Sequence, residues 1–138
     1  MIVLDTNVIS EIFKPKPAPA VVDFLRQKPV GRPWLTAITA AELRFGCAIL
    51  PMGGRRNALT EGVEHLLGRQ FATRILPFDV SATHYYADLM TRSRASGRAI
   101  QTFDAMIAAI VASHGGTLVT RNVRDFAACG IALINPWE

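Results

Sequence analysis

Cysteine is scarce in this chain. Cys47 and Cys129 are the only two in 138 residues. They lie far apart and match no metal spacing, so two free thiols in a reduced, cytoplasmic setting are expected. Long apolar runs are missing too. The longest, Ala105 to Ala112, falls far short of the roughly 20 residues that span a bilayer, and no membrane segment is expected. No basic stretch precedes an apolar core at the start of the sequence, so no signal peptide is expected either. His65, His84 and His114 show no ligand spacing and read as surface or core residues. Acids are also few, 11 against 15 lysines and arginines, giving a net charge of +4 and a pI near 9.6. Such a balance is compatible with a polyanionic partner without requiring one.

What is present is a compact α/β pattern. Half of the residues are apolar, and the length suggests one domain covering residues 1–138, with room for a real core. Strand candidates are Ile2–Leu4, Trp34–Ala37, Ile75–Phe78, Thr117–Thr120 and Ala132–Ile134. Between them fall helical stretches at Val8–Phe13, from Pro19 to a stop at Pro29, at Thr39–Leu50, Asn57–Phe71, Ser81–Ser96 and Gln101–His114. Strands alternating with helices imply right-handed crossovers and a central, parallel, five-stranded sheet flanked by helices.

Four acids stand out against that frame. Asp5 ends the apolar run Met1-Ile2-Val3-Leu4, where a buried strand would deliver a carboxylate to its C-terminal tip, the place where open α/β sheets bind ligands. Glu42 and Asp125 also follow strands, and Asp104 can reach the same rim. Each has a bland explanation. Asp5 could cap the helix after it. Thr39-Ala40-Ala41-Glu42 reads as a capping box. Asp104 would favour a helix dipole, and Asn122 and Asp125 could shape a turn. Two considerations weaken these readings jointly. Asp104 shares a helix face with Ile107, Ala108 and Val111, so an ionised carboxylate there is costly unless paired or metal-bound. Like charges gathered on one sheet edge also repel, unless a cation such as Mg²⁺ or Mn²⁺ compensates them.

The basic residues are distributed unevenly. Arg92, Arg94 and Arg98 lie in a stretch without acids, Lys14, Lys16, Arg26 and Lys28 cluster early, and Arg121 and Arg124 flank Asn122. Solvated helix faces explain such charges as readily as a nucleic-acid surface does.

With these blocks in order, the chain resembles PIN-domain ribonucleases of the VapC type, the toxin half of type II toxin–antitoxin pairs. The resemblance rests on Met1-Ile2-Val3-Leu4-Asp5-Thr6-Asn7-Val8, on Thr39-Ala40-Ala41-Glu42-Leu43-Arg44-Phe45-Gly46, on Asp104-Ala105-Met106-Ile107-Ala108-Ala109, on Leu118-Val119-Thr120-Arg121-Asn122-Val123-Arg124-Asp125-Phe126 and on Asn135-Pro136-Trp137. It implies a PIN-like fold and a Mg²⁺-dependent endoribonuclease, with Mn²⁺ as a substitute. Asp5 and Asp104 would be the main metal ligands, and Glu42 would complete the cluster. Thr6, Asn7 and Thr120 would orient ligands or waters. At the fourth acid the chain departs from many relatives, having Asn122 with Asp125 three residues later, and either would serve. The implied chemistry is attack of a metal-activated water on a phosphodiester, leaving a 5′-phosphate and a 3′-hydroxyl. Arg92, Arg94, Arg98 and Arg121 are candidates for the RNA backbone. The resemblance also implies a small cognate antitoxin over the site and a homodimer, for which the helices from Val21 to Phe71 and Trp137 could supply apolar surface.

Three rival readings remain, one of them a DNA nuclease like the flap-endonuclease relatives, which usually carry more acids and extra helical segments than this short chain. A haloacid-dehalogenase-type phosphatase also starts with a strand-borne Asp, but it wants a second acid where this chain has Asn7. A PIN-like domain could instead bind RNA or a partner without cutting it.

Overall fold

The computed structural model describes residues 1–27 and 31–138; the expected stop at Pro29 and the basic Lys28 lie outside the described residues. The elements run β1 (Ile2–Leu4), α1 (Thr6–Ile12), α2 (Pro19–Gln27), β2 (Leu35–Thr36), α3 (Ala37–Ala48), α4 (Gly54–His65), β3 (Ile75–Leu76), α5 (Val80–Ala95), α6 (Thr102–Ser113), β4 (Thr117–Val119), α7 (Val123–Phe126) and β5 (Ala132–Ile134). A π-helical turn, Leu66–Gln70, extends α4, and a 3₁₀ turn, Ala127–Cys129, extends α7.

The five expected strands are all present and all pairings are parallel. They form two ladders, β1-β4-β5 and β2-β3. A bridge between Val3 and Trp34 joins them, with Trp34 N–H donating to Ile2 O and Leu4 N–H to Trp34 O, both at 2.9 Å. The order is therefore β3-β2-β1-β4-β5. β2 is shorter than its apolar pattern: Thr36, its last residue, pairs with Leu76 and at the same time caps α3. On β3, Pro77 has no N–H for a ladder, and the strand stops at Leu76.

Side-chain alternation sorts the core into two halves. Ile2 and Leu4 pack with α1, α3 and α4 on one face, through Val8, Ile9, Leu43 and Val63. Val3 and Leu118 point the other way, into Leu89, Ile107, Ala108 and Val111 of α5 and α6. A helix–sheet–helix sandwich results, and both faces of β1 and β4 are buried, as parallel sheets require.

This order fixes where a ligand can sit. The chain steps from β1 outward to β2 and β3, then returns to the other side of β1 for β4 and β5. Crossovers on either side of the β1–β4 pair thus run in opposite directions and leave a crevice at its C-terminal end. The residues that follow are Asp5 after β1 and Thr120-Arg121-Asn122 after β4.

Candidate metal centre

Asp5 sits in that crevice and is almost completely buried, at 4% exposure. Its backbone N–H donates to Val119 O at 2.9 Å, tying it to the end of β4. Its carboxylate accepts from Thr6 N–H at 2.8 Å and from the Thr120 hydroxyl at 2.7 Å. The capping reading is therefore true and incomplete: Asp5 is the N-cap of α1 and also faces the crevice. Burial pushes its carboxyl above the usual range; the bonds from Thr120 and Thr6 oppose this, and the nearby Glu42 charge adds to it.

Thr120 is fully buried and makes a three-way junction. Its hydroxyl donates to Asp5 and accepts from Asn122 N–H at 3.0 Å and from Asn7 Nδ2 at 3.4 Å. The Asn7 amide oxygen accepts from Arg121 N–H at 3.4 Å. Thr120 and Asn7 therefore hold Asp5 and the segment after β4 in one arrangement.

Glu42 arrives from α3, and here the capping-box expectation is corrected. The N-cap is Thr36, whose hydroxyl accepts from Thr39 N–H at 3.1 Å. Thr39 lies inside the helix, and Glu42, two turns in, is not needed at its start. Glu42 accepts instead from the Thr6 hydroxyl at 2.7 Å. With that proton spent, the 3.0 Å contact between the Thr6 and Thr39 hydroxyls has Thr39 as donor, and Thr36 donates to Thr39 at 3.5 Å. A file of three threonines thus ends on the Glu42 carboxylate.

Asp104 stands in the first turn of α6, directly before buried Ala105 and the buried run Ile107 to Val111. Its carboxyl is pushed up to about 6, chiefly by burial and then by the charges of Asp5, Glu42 and Asp125. Asp5, Glu42, Asp104 and Asn122 line one pocket of about 350 Å³. Asp125 does not line it. It sits exposed on α7, near enough to act on Asp104 through space. Of the two alternatives for the fourth ligand, the neutral Asn122 is the one at the pocket.

The remaining sequence candidates separate. Arg121 lines the pocket, its guanidinium 5.2 Å above the Trp137 ring. Arg92 is engaged elsewhere, donating to Cys129 O at 3.2 Å and lying 3.7 Å from Asp88. Arg94 and Arg98 are exposed outside the pocket. Both Arg92 and Asp104 act on the Cys129 thiol, which burial pushes up, so the end of α5 flanks the acidic cluster without entering it. Trp137, expected as contact surface, is half-buried and lines the pocket. The three histidines are exposed. Sequence reasoning missed Glu11 and Lys14 as site residues; they line the pocket as a 2.9 Å ion pair, and their i,i+3 spacing was the available signal.

The donors at this pocket suit a hard divalent cation. They are carboxylate and amide oxygens, with no histidine or cysteine in the lining. Among the described residues no three His, Cys, Asp or Glu side chains converge into a cage. An ion that keeps several waters and takes one or two carboxylates fits such an open set better than one needing all-protein coordination. The upward push on Asp5 and Asp104 is the electrostatic conflict that such an ion relieves.

The PIN domain family model matches residues 2–130. This chain belongs to the PIN domain family. Over 138 residues it is 45% identical to the VapC ribonuclease Y4jK of Sinorhizobium fredii, covering 100% of this chain and 99% of that one. With toxin FitB of Neisseria gonorrhoeae the identity is 42%, with the same coverage. The crystal structure of FitAcB from Neisseria gonorrhoeae superposes with a TM-score of 0.93 at 41% identity, covering 100% and 99% of the two chains. The expected PIN fold is therefore the observed one.

Beside the acidic pocket of this PIN domain lies a larger groove of about 650 Å³, sharing Thr6, Glu42 and Lys14 with it and lined by apolar side chains such as Phe13, Leu43 and Leu59. No helix among the described residues is long and apolar enough to cross a membrane.

Proposed function

We propose that this PIN domain is a divalent-metal-dependent endoribonuclease and the toxin of a type II toxin–antitoxin pair. The observation that carries the reading is the meeting of Asp5, Glu42 and Asp104 in one oxygen-lined pocket at the switch point of the sheet, with the Asp104 carboxyl pushed up to about 6 by burial and then by its charged neighbours. Asp5 and Asp104 would hold Mg²⁺ or Mn²⁺, Glu42 would complete the cluster, and Asn122 would offer a neutral oxygen. The chemistry gained when the cation is bound is a more acidic water for in-line attack and neutralised charge on the phosphoryl oxygens. Thr120, Thr6 and Asn7 fix the carboxylate rotamers, so that little reorganisation accompanies reaction. The products are a 5′-phosphate and a 3′-hydroxyl.

A small cognate antitoxin, covering the pocket and its apolar neighbour, is the proposed partner. Exposed Phe45, Ile49 and Met52 support a homodimer. Two free, buried cysteines support a cytoplasmic setting.

The test is cleavage of a cellular RNA pool by antitoxin-free protein with Mg²⁺, with EDTA, and by an Asp5→Asn variant purified in parallel. Discrete cuts that need the metal and vanish in the variant are expected. Identical behaviour of wild type and variant would reject catalysis and leave an RNA- or partner-binding module.

A further inference from the structure

The acidic pocket poses a problem for a polyanionic substrate: four carboxylates, those of Asp5, Glu11, Glu42 and Asp104, line it. Two cations line the same pocket, Lys14 and Arg121, and each is held by a different device. The Lys14 ammonium lies 2.9 Å from the Glu11 carboxylate, whose other oxygen accepts from Ala18 N–H at 2.9 Å. Glu11 is itself buried while the Lys14 side chain is 57% exposed, so the anchor is fixed and two of the three ammonium donors remain free. Arg121 rests on the Trp137 ring, and Trp137 N–H donates to the Asn135 amide oxygen at 3.0 Å. Among the described residues no carboxylate lies within ion-pair distance of Arg121. Other cations are engaged away from the pocket: Arg44 is bidentate to Glu64, and Arg74 donates to Pro33 O and Gln70 O.

We propose that Lys14 and Arg121 form a two-point phosphate clamp on the rim of the acidic pocket, with Glu11 and Trp137 as the struts that hold them there. The inference rests on the ribonuclease reading, and its ligand is the backbone of single-stranded RNA on either side of the bond to be cut. Lys14 serves as a compact point charge near the end of α1. Arg121 offers a planar fork after β4. Both are pre-positioned, so less side-chain entropy is lost when phosphate arrives.

The experiment measures binding of a labelled, mixed-sequence single-stranded RNA oligonucleotide to the full chain in an Asp5→Asn background, over a range of salt concentrations. Single-turnover cleavage is measured in parallel with Asp5 intact, and denaturant unfolding checks each fold. Lys14→Ala and Arg121→Ala are each expected to weaken binding roughly tenfold and to lower the slope of log K against log salt by about 0.7. Lys14→Arg should restore the slope. Trp137→Ala should weaken binding when Arg121 is present and add nothing in an Arg121→Ala background. Unchanged slopes in both alanine variants, with wild type still binding and cutting, would overturn the clamp and leave the nuclease standing. Reduced slopes without cleavage would keep the clamp and sink the catalytic reading. A wild type that does not bind the RNA at low salt overturns both. A Trp137→Ala effect that persists without Arg121 overturns the strut and makes the ring itself the contact.

Discussion

Thr120→Val is the sharpest single test of how the site is held. Valine keeps the shape of a fully buried side chain and removes one hydroxyl. In the native protein that hydroxyl donates to Asp5 at 2.7 Å while accepting from Asn122 N–H and Asn7 Nδ2. A hydrogen bond to a charged group contributes about 1.5–3 kcal/mol, and a neutral one about 1 kcal/mol. At pH 7, losing the charged bond to Asp5 and the neutral bond from Asn122 should therefore cost about 2.5–4 kcal/mol. The sign of its pH dependence follows from Asp5. The Asp5 carboxyl is already raised by burial, and the Thr120 bond is the largest effect lowering it. Removing that bond raises it further. An acid raised in the folded state contributes stability that is fully present below its unfolded value, 3.8, and lost as pH climbs through the folded value. The variant should thus lose more stability than wild type between acid and neutral pH. Its deficit should shrink toward about 1 kcal/mol where Asp5 is protonated in both proteins. Urea unfolding in metal-free buffer, at neutral pH and near pH 3.5, reads both numbers from the midpoints at constant m-value. A deficit that is equal at the two pH values, or larger in acid, would refute the role given to Thr120. Metal affinity should fall together with stability, by roughly 10–100-fold, the usual cost of losing a group that orients a ligand.

Other expectations follow from the same geometry. Because Asp104 titrates near 6 rather than 3.8, the metal-free protein should lose stability as pH rises from about 4 through 6. Mg²⁺ should then raise the melting temperature little at pH 4.5 and fully by pH 7; an equal shift at both would count against Asp104 as a ligand. Asp104→Asn should raise metal-free stability at pH 7 by on the order of 1 kcal/mol while abolishing the Mg²⁺-dependent shift in melting. Asn122→Ala should weaken Mn²⁺ binding roughly tenfold, whereas Asp125→Asn should leave it nearly unchanged and lower the Asp104 pKa, as read by carboxyl NMR titration. Thr39→Val should slow cleavage roughly tenfold, and Thr39→Ser should recover it, since serine keeps the hydroxyl that supports Thr6 and through it Glu42.

The contrast between what the sequence revealed and what it hid has a physical origin. The strands were legible because a strand buried on both faces must be largely apolar, and Ile2-Val3-Leu4 and Leu118-Val119 satisfy that without any tertiary information. Their ends were less legible. Ala37 extends an apolar strand pattern, yet the strand ends at Thr36, which caps α3, an outcome set by backbone geometry and not by hydropathy. Asp5, Glu42 and Asp104 could each be read as helix caps, and Asp5 does cap a helix. What sets Asp5 and Asp104 apart is that burial and neighbouring charge act on the same groups, which is a property of their distances. The basic residues show the limit most clearly. Charge density along the chain favoured Arg92, Arg94 and Arg98, but Arg92 is committed to Cys129 and Asp88. Lys14 read as one of an early cluster of solvated charges and instead lines the pocket, because a buried glutamate one helical turn away holds it there. A cation's position is fixed by the partner that anchors it, and in the fold the partner of Arg121 is Trp137, 16 positions along the chain and across the β4–β5 connection.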